Sequence, residues 1–210
     1  MKLIIKKGEP EAFSAWKSLA NPDWHPEYDN LSTDVKKILK QSLMEEQGWI
    51  CCYCQQRITD ATSHIEHFRP QSKFPKESLN YENMFCSCQK QMKKGEPLYC
   101  GNAKDDWYDE DYIISPLDPD CEGHFMFTGN GLIVAAENDH AALETIRRLK
   151  LDITKLNDMR AKAIDPFLDE SLSGYQMKQF VTGYLQKDEQ GQFNEFWTMI
   201  NYLFGDYSTV

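Results

Sequence analysis

Between Ser32 and Gln47 the chain reads STDVKKILKQSLMEEQ, with Val35, Ile38, Leu39 and Leu43 recurring at helical spacing. This pattern predicts an amphipathic helix, started by Ser32 or Thr33 as a cap and stopped at Gly48. It delivers the chain directly into CCYC. From Thr62 to Phe85 the apolar runs are short and broken by proline, which predicts strands and a loop. Around Tyr112 to Ala136 the pattern predicts β structure: DYIISPL, then HFMF and LIVAA joined across TGNG, where Asn130-Gly131 is a hairpin-turn signal. The periodicity then becomes helical. Asp139 to Leu151 presents Ala142, Leu143, Ile146 and Leu149. Asp152 can cap a second helix carrying Ile153, Leu156, Met159 and Ile164, which Pro166 ends. Two more helices are expected at about 174–186 and 192–204. The last shows Phe193, Phe196, Trp197, Ile200, Leu203 and Phe204, an aromatic face read as core in preference to a partner surface.

Composition narrows the class. With 210 residues, 41% hydrophobic and 12% aromatic, the chain can bury a proper core. No apolar run approaches the ~20 residues that span a bilayer. The apolar stretch in MKLIIKKGEPEAF is too short for a signal peptide, so a cytoplasmic location is expected. The net charge of −10 is unevenly spread: −1 over residues 1–50, +3 over 51–104 and −12 over 105–210. The one positive segment is the cysteine-rich one. A locally basic site inside an acidic protein can touch phosphates, but the whole molecule steers them poorly.

Seven cysteines in a reducing compartment point to metal ligands before disulfides. Cys51 and Cys54 form a C-x-x-C knuckle. The second pair is split, Cys88 or Cys86 with Cys100, and QKQMKKGEPLY is an insertion between them. Four thiolates suit a closed structural Zn²⁺ site that does no chemistry itself. Between the knuckles lies SHIEHFRP. Its order, His-x-Glu-His, is not the zincin helix motif. On a strand, His64 and Glu66 share one face and His67 takes the other. Hydrolysing a phosphodiester needs an activated water and neutralisation of charge on the leaving oxygen. A histidine suits the first task at neutral pH, and a carboxylate holding a hard divalent ion suits the second.

The run C51CYC54, H64IEH67FRP70, Y81EN83MFCSC88 and C100GNAK104 resembles the zinc-containing HNH (ββα-metal) endonucleases over about residues 48–105. More narrowly, IEHFRPQSKF with NYENMF and the split CGNAK is similar to the PtuB family. These are HNH nuclease subunits of Septu-type anti-phage systems, some of which accompany retrons. That likeness continues through ISPLDPDCEGHF and ETIRRLKLD. The resemblance implies an α+β fold: a zinc-stabilised ββα-metal nuclease core over 51–111, a helical lead-in over 1–50, and a β-hairpin plus helical, partner-binding region over 112–210.

It also implies roles. His67 is the general base and Glu66 a ligand to a catalytic Mg²⁺ or Mn²⁺ ion. Asn83 is the middle residue of the motif, tying the loop and orienting the base. Asn102 is the match to the third motif residue and a second ligand of the catalytic ion. Arg69, Lys73 and Lys104 are phosphate-contact candidates, while Cys51, Cys54, Cys88 and Cys100 hold Zn²⁺. Glutamate stands where aspartate is commoner in the family. His64 stays open between metal ligand, substrate contact and plain strand residue. The implied partners are a nucleic-acid substrate and an ATPase subunit of the PtuA type, with no membrane. A restriction or mobile-element nuclease and an inactive zinc-stabilised binding module are the alternatives. The cluster Asp118, Asp120, Cys121, Glu122 and His124 is expected to be a turn, and Asp105 to Asp111 a solvated acidic loop.

Overall fold

Ser32 does begin a helix. In the computed structural model, which describes residues 1–209, the Ser32 hydroxyl accepts from the Val35 amide and caps α2 (Thr33–Glu46). Its buried stripe is Leu39, Leu43 and Met44, whereas Ile38 is turned to solvent, so the face sits one residue beyond the expected one. Before it lies α1 (Glu11–Lys17), which buries Phe13 and Trp16 against α2. Gly48 follows with φ +62°, and Trp49 is also left-handed, which turns the chain sharply into the cysteine knuckle.

Two small antiparallel sheets follow. Strand β1 (His64–His67) pairs with β2 (Met84–Ser87), His64 opposite Ser87 and His67 opposite Met84. The 16 or so residues between them run through two short 3₁₀ turns, Pro75–Glu77 and Tyr81–Asn83. The next helix, α3 (Gly101–Lys104), is a single turn. Strands β3 (Phe125–Phe127) and β4 (Ile133–Ala135) form the expected hairpin, with Gly131 at φ +83° in its turn.

DYIISPL forms no strand. The Ile114 amide donates instead to the Thr145 hydroxyl on α4 (His140–Leu149), and the Ile4 amide donates to the Pro116 carbonyl. These groups find partners in a helix side chain and the N-terminal segment, so no ladder forms. Asp139 caps α4 through the Ala142 amide, and Lys150 ends it in the left-handed conformation. Leu143, expected on the buried face, is exposed.

Helix α5 (Thr154–Ile164) begins at Ile153, not at an Asp152 cap. The Asp152 carbonyl is taken by the Asn157 side chain. Pro166 turns its end into a 3₁₀ segment, Asp165–Leu168. Helix α6 (Gly174–Leu185) starts with a Ser173/Gln176 capping box. Helix α7 covers only Trp197–Phe204, and α8 is Asp206–Thr209. Residues 192–196 are not helical, because the Phe193 amide donates to the Gly48 carbonyl and the Phe196 amide to the Gln55 carbonyl. Long-range pairing with the knuckle outcompetes helical periodicity there. A continuous apolar core joins Phe13, Leu39, Phe85, Leu149, Val181 and Ile200. Among the described residues, no helix is long and apolar enough to cross a membrane.

Candidate active site and metal centre

The knuckle begins at an Ile50–Arg57 bridge and turns through Gln55 at φ +65°. The Cys51 amide donates to the Gln56 carbonyl, and the Gln55 amide to the Cys51 carbonyl. This folds Cys51 and Cys54 to one side. Cys88 arrives at the end of β2, and Cys100, at φ +55°, opens α3. The four sulfurs lie within 4.8 Å of one another and all four residues are buried. Tetrahedral zinc with bonds of about 2.3 Å places its sulfurs roughly 3.8 Å apart, so the set fits the ion with slight closure. The Cys88 amide donates to Cys51 Sγ at 3.4 Å, as a thiolate corner requires. Burial opposes ionisation of Cys51, but bonds from Cys100, Cys52, Cys54 and Cys88 outweigh it and hold its thiol well below the ordinary value. Cys88, not Cys86, completes the set. Cys86 lies within β2 with its thiol on the Lys40 carbonyl, and Cys52 is also outside the cluster. Between Cys88 and Cys100 the insertion is zipped by Gln89, whose side chain bonds the Pro97 carbonyl and the Tyr99 amide.

The sulfur cluster abuts the histidine strand through Ser87. Its hydroxyl accepts from the Gly101 amide at 3.1 Å and lies 3.8 Å from Cys51 Sγ. The Cys100 amide donates to the Leu149 carbonyl on α4. The start of α3 is therefore pinned from two sides, directly against His64 and Glu66. A Cβ built on Gly101 would stand 2.4 Å from Glu66 Oε2 and 3.0 Å from His64 Nε2. No residue larger than glycine fits there without displacing the pair.

Glu66 is buried, yet its charge is answered. Its Oε1 accepts from the Tyr53 hydroxyl at 3.1 Å and from the Lys104 ammonium at 3.0 Å. Its Oε2 faces His64 Nε2 at 3.6 Å. Burial alone would raise this carboxyl, but His64 and Lys104 outweigh it and hold it below the ordinary carboxylate value. Lys104 also donates to the His67 carbonyl, and only 2% of the residue is exposed. Its expected place at the surface as a phosphate contact is therefore corrected. The single turn of α3 aims the side chain inward, at the carboxylate.

His67 points to the other face of β1. Its Nε2 lies 3.0 Å from the Ser78 carbonyl, which can only accept, so Nε2 carries the proton and Nδ1 the lone pair. The ring packs edge-on against Tyr28 at 4.6 Å. Burial lowers its pKa below the usual histidine value, so the ring is neutral at pH 7. Asn83 holds the surrounding loop. Its amide nitrogen donates to the Arg69 and Glu77 carbonyls, and its oxygen accepts from the Arg69 amide. That clip fixes residue 77, hence the Ser78 carbonyl beside it, hence the imidazole. A groove of about 420 Å³ opens beside the ring's neighbours Tyr28 and Ser78, with Glu27, Asp29, Gln71, Ser72 and Pro75 also in its walls.

No family model matches the chain. A protein of Vibrio cholerae serotype O1 biovar El Tor, named "Retron Vc95 putative HNH endonuclease", is 30% identical over 139 aligned residues. The match takes in 62% of this chain and 65% of that protein's length. The likeness supports a relationship to HNH nucleases.

The other expected site residues separate. Asn102 is half-buried, and its amide nitrogen donates to the Gln89 carbonyl and towards Met92 Sδ. Arg69 is at the surface, with Nε on the Tyr108 hydroxyl and a terminal nitrogen 3.2 Å from Glu110. Lys73 is exposed. The second polar cluster is indeed a turn. Cys121 is buried, and His124 Nδ1 pairs at 2.5 Å with Asp139, the cap of α4. Sequence reasoning missed Tyr53 and the inward turn of Lys104. Tyr53 is hidden between cysteines that explain the segment without it, and α3 is too short for a periodicity that would assign Lys104 a face.

Proposed function

We propose that the chain is a metal-dependent HNH endonuclease hydrolysing phosphodiester bonds of nucleic acid, DNA foremost. In this reading it is the effector of an anti-phage defence complex, partnered by an ATPase subunit of the PtuA type. The observation that carries the chemistry is the line from Asn83 through residues 77 and 78 to His67. It presents a neutral imidazole with a fixed tautomer and a lone pair at Nδ1, as a general base requires. His67 would take the proton of the attacking water at that atom. Glu66, kept ionised by Lys104, would hold a divalent ion, whose chemistry there is neutralisation of charge on the leaving oxygen. Lys73 and Arg69 would meet flanking phosphates, Arg69 after release from Glu110.

The defence role and the ATPase rest on the sequence resemblance and on the retron named in the Vibrio protein. The charge pattern agrees with a need for help, since a +3 segment within a −10 chain binds nucleic acid weakly. No basic recognition helix favours the restriction or mobile-element alternative. The test is His67→Ala in the complex, assayed with Mg²⁺ or Mn²⁺. Cleavage is expected to vanish while zinc content and the melting curve stay. Unchanged cleavage would refute the role given to His67.

A further inference from the structure

We infer that His64 and Glu66 form the ligand pair of the catalytic ion, and that this pair selects an Mn²⁺-like transition ion over Mg²⁺. The inference deepens the proposed nuclease reading and rests on it. Glu66 Oε2 and His64 Nε2 face each other at 3.6 Å, beyond hydrogen-bonding distance. Donors on neighbouring corners of an octahedral ion with bonds of about 2.1 Å stand roughly 3 Å apart, so modest closure brings both onto one centre. The other oxygen, Oε1, is committed to Tyr53 and Lys104, which fixes the carboxylate and leaves Oε2 as its free corner.

Three further features point the same way. Gly101 leaves bare the hollow that a Cβ would fill against both atoms. The His64 side chain is 27% exposed, so the pair is buried on one side and open on the other, as substrate oxygens and waters need. The side chain of Asn102, the ligand expected from the sequence motif, is engaged with the insertion instead, its amide nitrogen on the Gln89 carbonyl and towards Met92 Sδ. Imidazole suits first-row transition ions, whereas Mg²⁺ prefers oxygen donors alone. One histidine beside one carboxylate therefore tilts the preference towards Mn²⁺.

The deciding measurement is pulsed EPR on the full, zinc-loaded chain with Mn²⁺ added. Electron spin-echo modulation from an imidazole nitrogen is expected in the native protein and in His67→Ala, and absent in His64→Ala. The Mn²⁺ dissociation constant of His64→Ala should rise about tenfold or more, while Asn102→Ala should bind as the native chain does. His64→Asp, with oxygen in place of nitrogen, should bind Mg²⁺ relatively better. Zinc content and thermal melts verify that each variant is folded. Glu66→Gln is a poorer test, because it strands the Lys104 ammonium. No bound Mn²⁺, no nitrogen modulation in the native protein, or modulation surviving His64→Ala overturns the inference. A nitrogen-coordinated ion without cleavage by the complex would sink the nuclease reading and leave the ion site standing. Cleavage without nitrogen coordination would do the reverse.

Discussion

Lys104 decides more at the residue scale than its sequence position suggests. Its ammonium neutralises a buried carboxylate and holds the backbone of the proposed base in the same grip. Lys104→Met would leave Glu66 ionised and uncompensated, which costs about 3–5 kcal/mol for a buried pair. Urea titration should show that loss. His67 carries a second prediction. Burial lowers its pKa, so the ring stays unprotonated at pH values where a free histidine is already charged. The acid limb of cleavage should therefore be centred below the ordinary histidine value of about 6.5. An acid limb centred above that value, in a pH–rate profile under saturating Mn²⁺, would contradict the role. The pair Glu66–His67 was legible from SHIEHFRP because strand alternation separates it by face. The Lys104 ammonium was not, since nothing local in GNAK says which way one helical turn will be rolled.

Elements supply the geometry in proportion to how firmly they are tied. Helix α3 cannot be stable alone; it forms because Cys100 belongs to the sulfur cluster and to the Leu149 carbonyl. Removing zinc with a strong chelator should therefore release α3 from β1 and lower Tm. The Mn²⁺ site should vanish together with the zinc in the same titration, which EPR and a thiol-reactive dye can follow. The β3–β4 hairpin shows a different dependence. A Cβ at Gly131 would lie 2.3 Å from the Asn157 carbonyl and 2.6 Å from the Ala161 nitrogen, at a positive φ. Gly131→Ala should destabilise by about 1–3 kcal/mol in denaturant unfolding. The sequence marked this turn through Asn-Gly, α2 through its cap and periodicity, and α4 through periodicity. Residues 192–196 eluded it because their amides bond to residues 48 and 55, partners far along the chain. DYIISPL misled for the same reason, its strand-like composition serving helix α4.

At the scale of the whole molecule, charge and partnership are one question. The acidic loop 105–111 stands over Arg69 through Glu110, and the C-terminal half, residues 105–210, carries a net charge of −12. Nucleic-acid binding by the isolated chain should be weak at physiological salt. It should strengthen markedly when an ATPase subunit with a basic face is added, in an electrophoretic or anisotropy assay run across salt. Robust cleavage by the isolated chain at that salt would refute the dependence. Exposed Leu168, Tyr175 and Phe180, around the Phe167 aromatic stack, lie in the region assigned by resemblance to that partner.

The order of residues along α3 has a consequence during synthesis. Cys51, Cys54, His64, Glu66 and Cys88 all leave the ribosome before Cys100, Gly101 and Lys104. Until that last short run emerges, the sulfur cluster lacks a corner, the carboxylate lacks its ammonium and the strand has nothing to close against. A nascent chain cut off before Cys100 thus lacks the fourth sulfur and the ammonium together, and the sulfur cluster and the surroundings of Glu66 are completed in one late step.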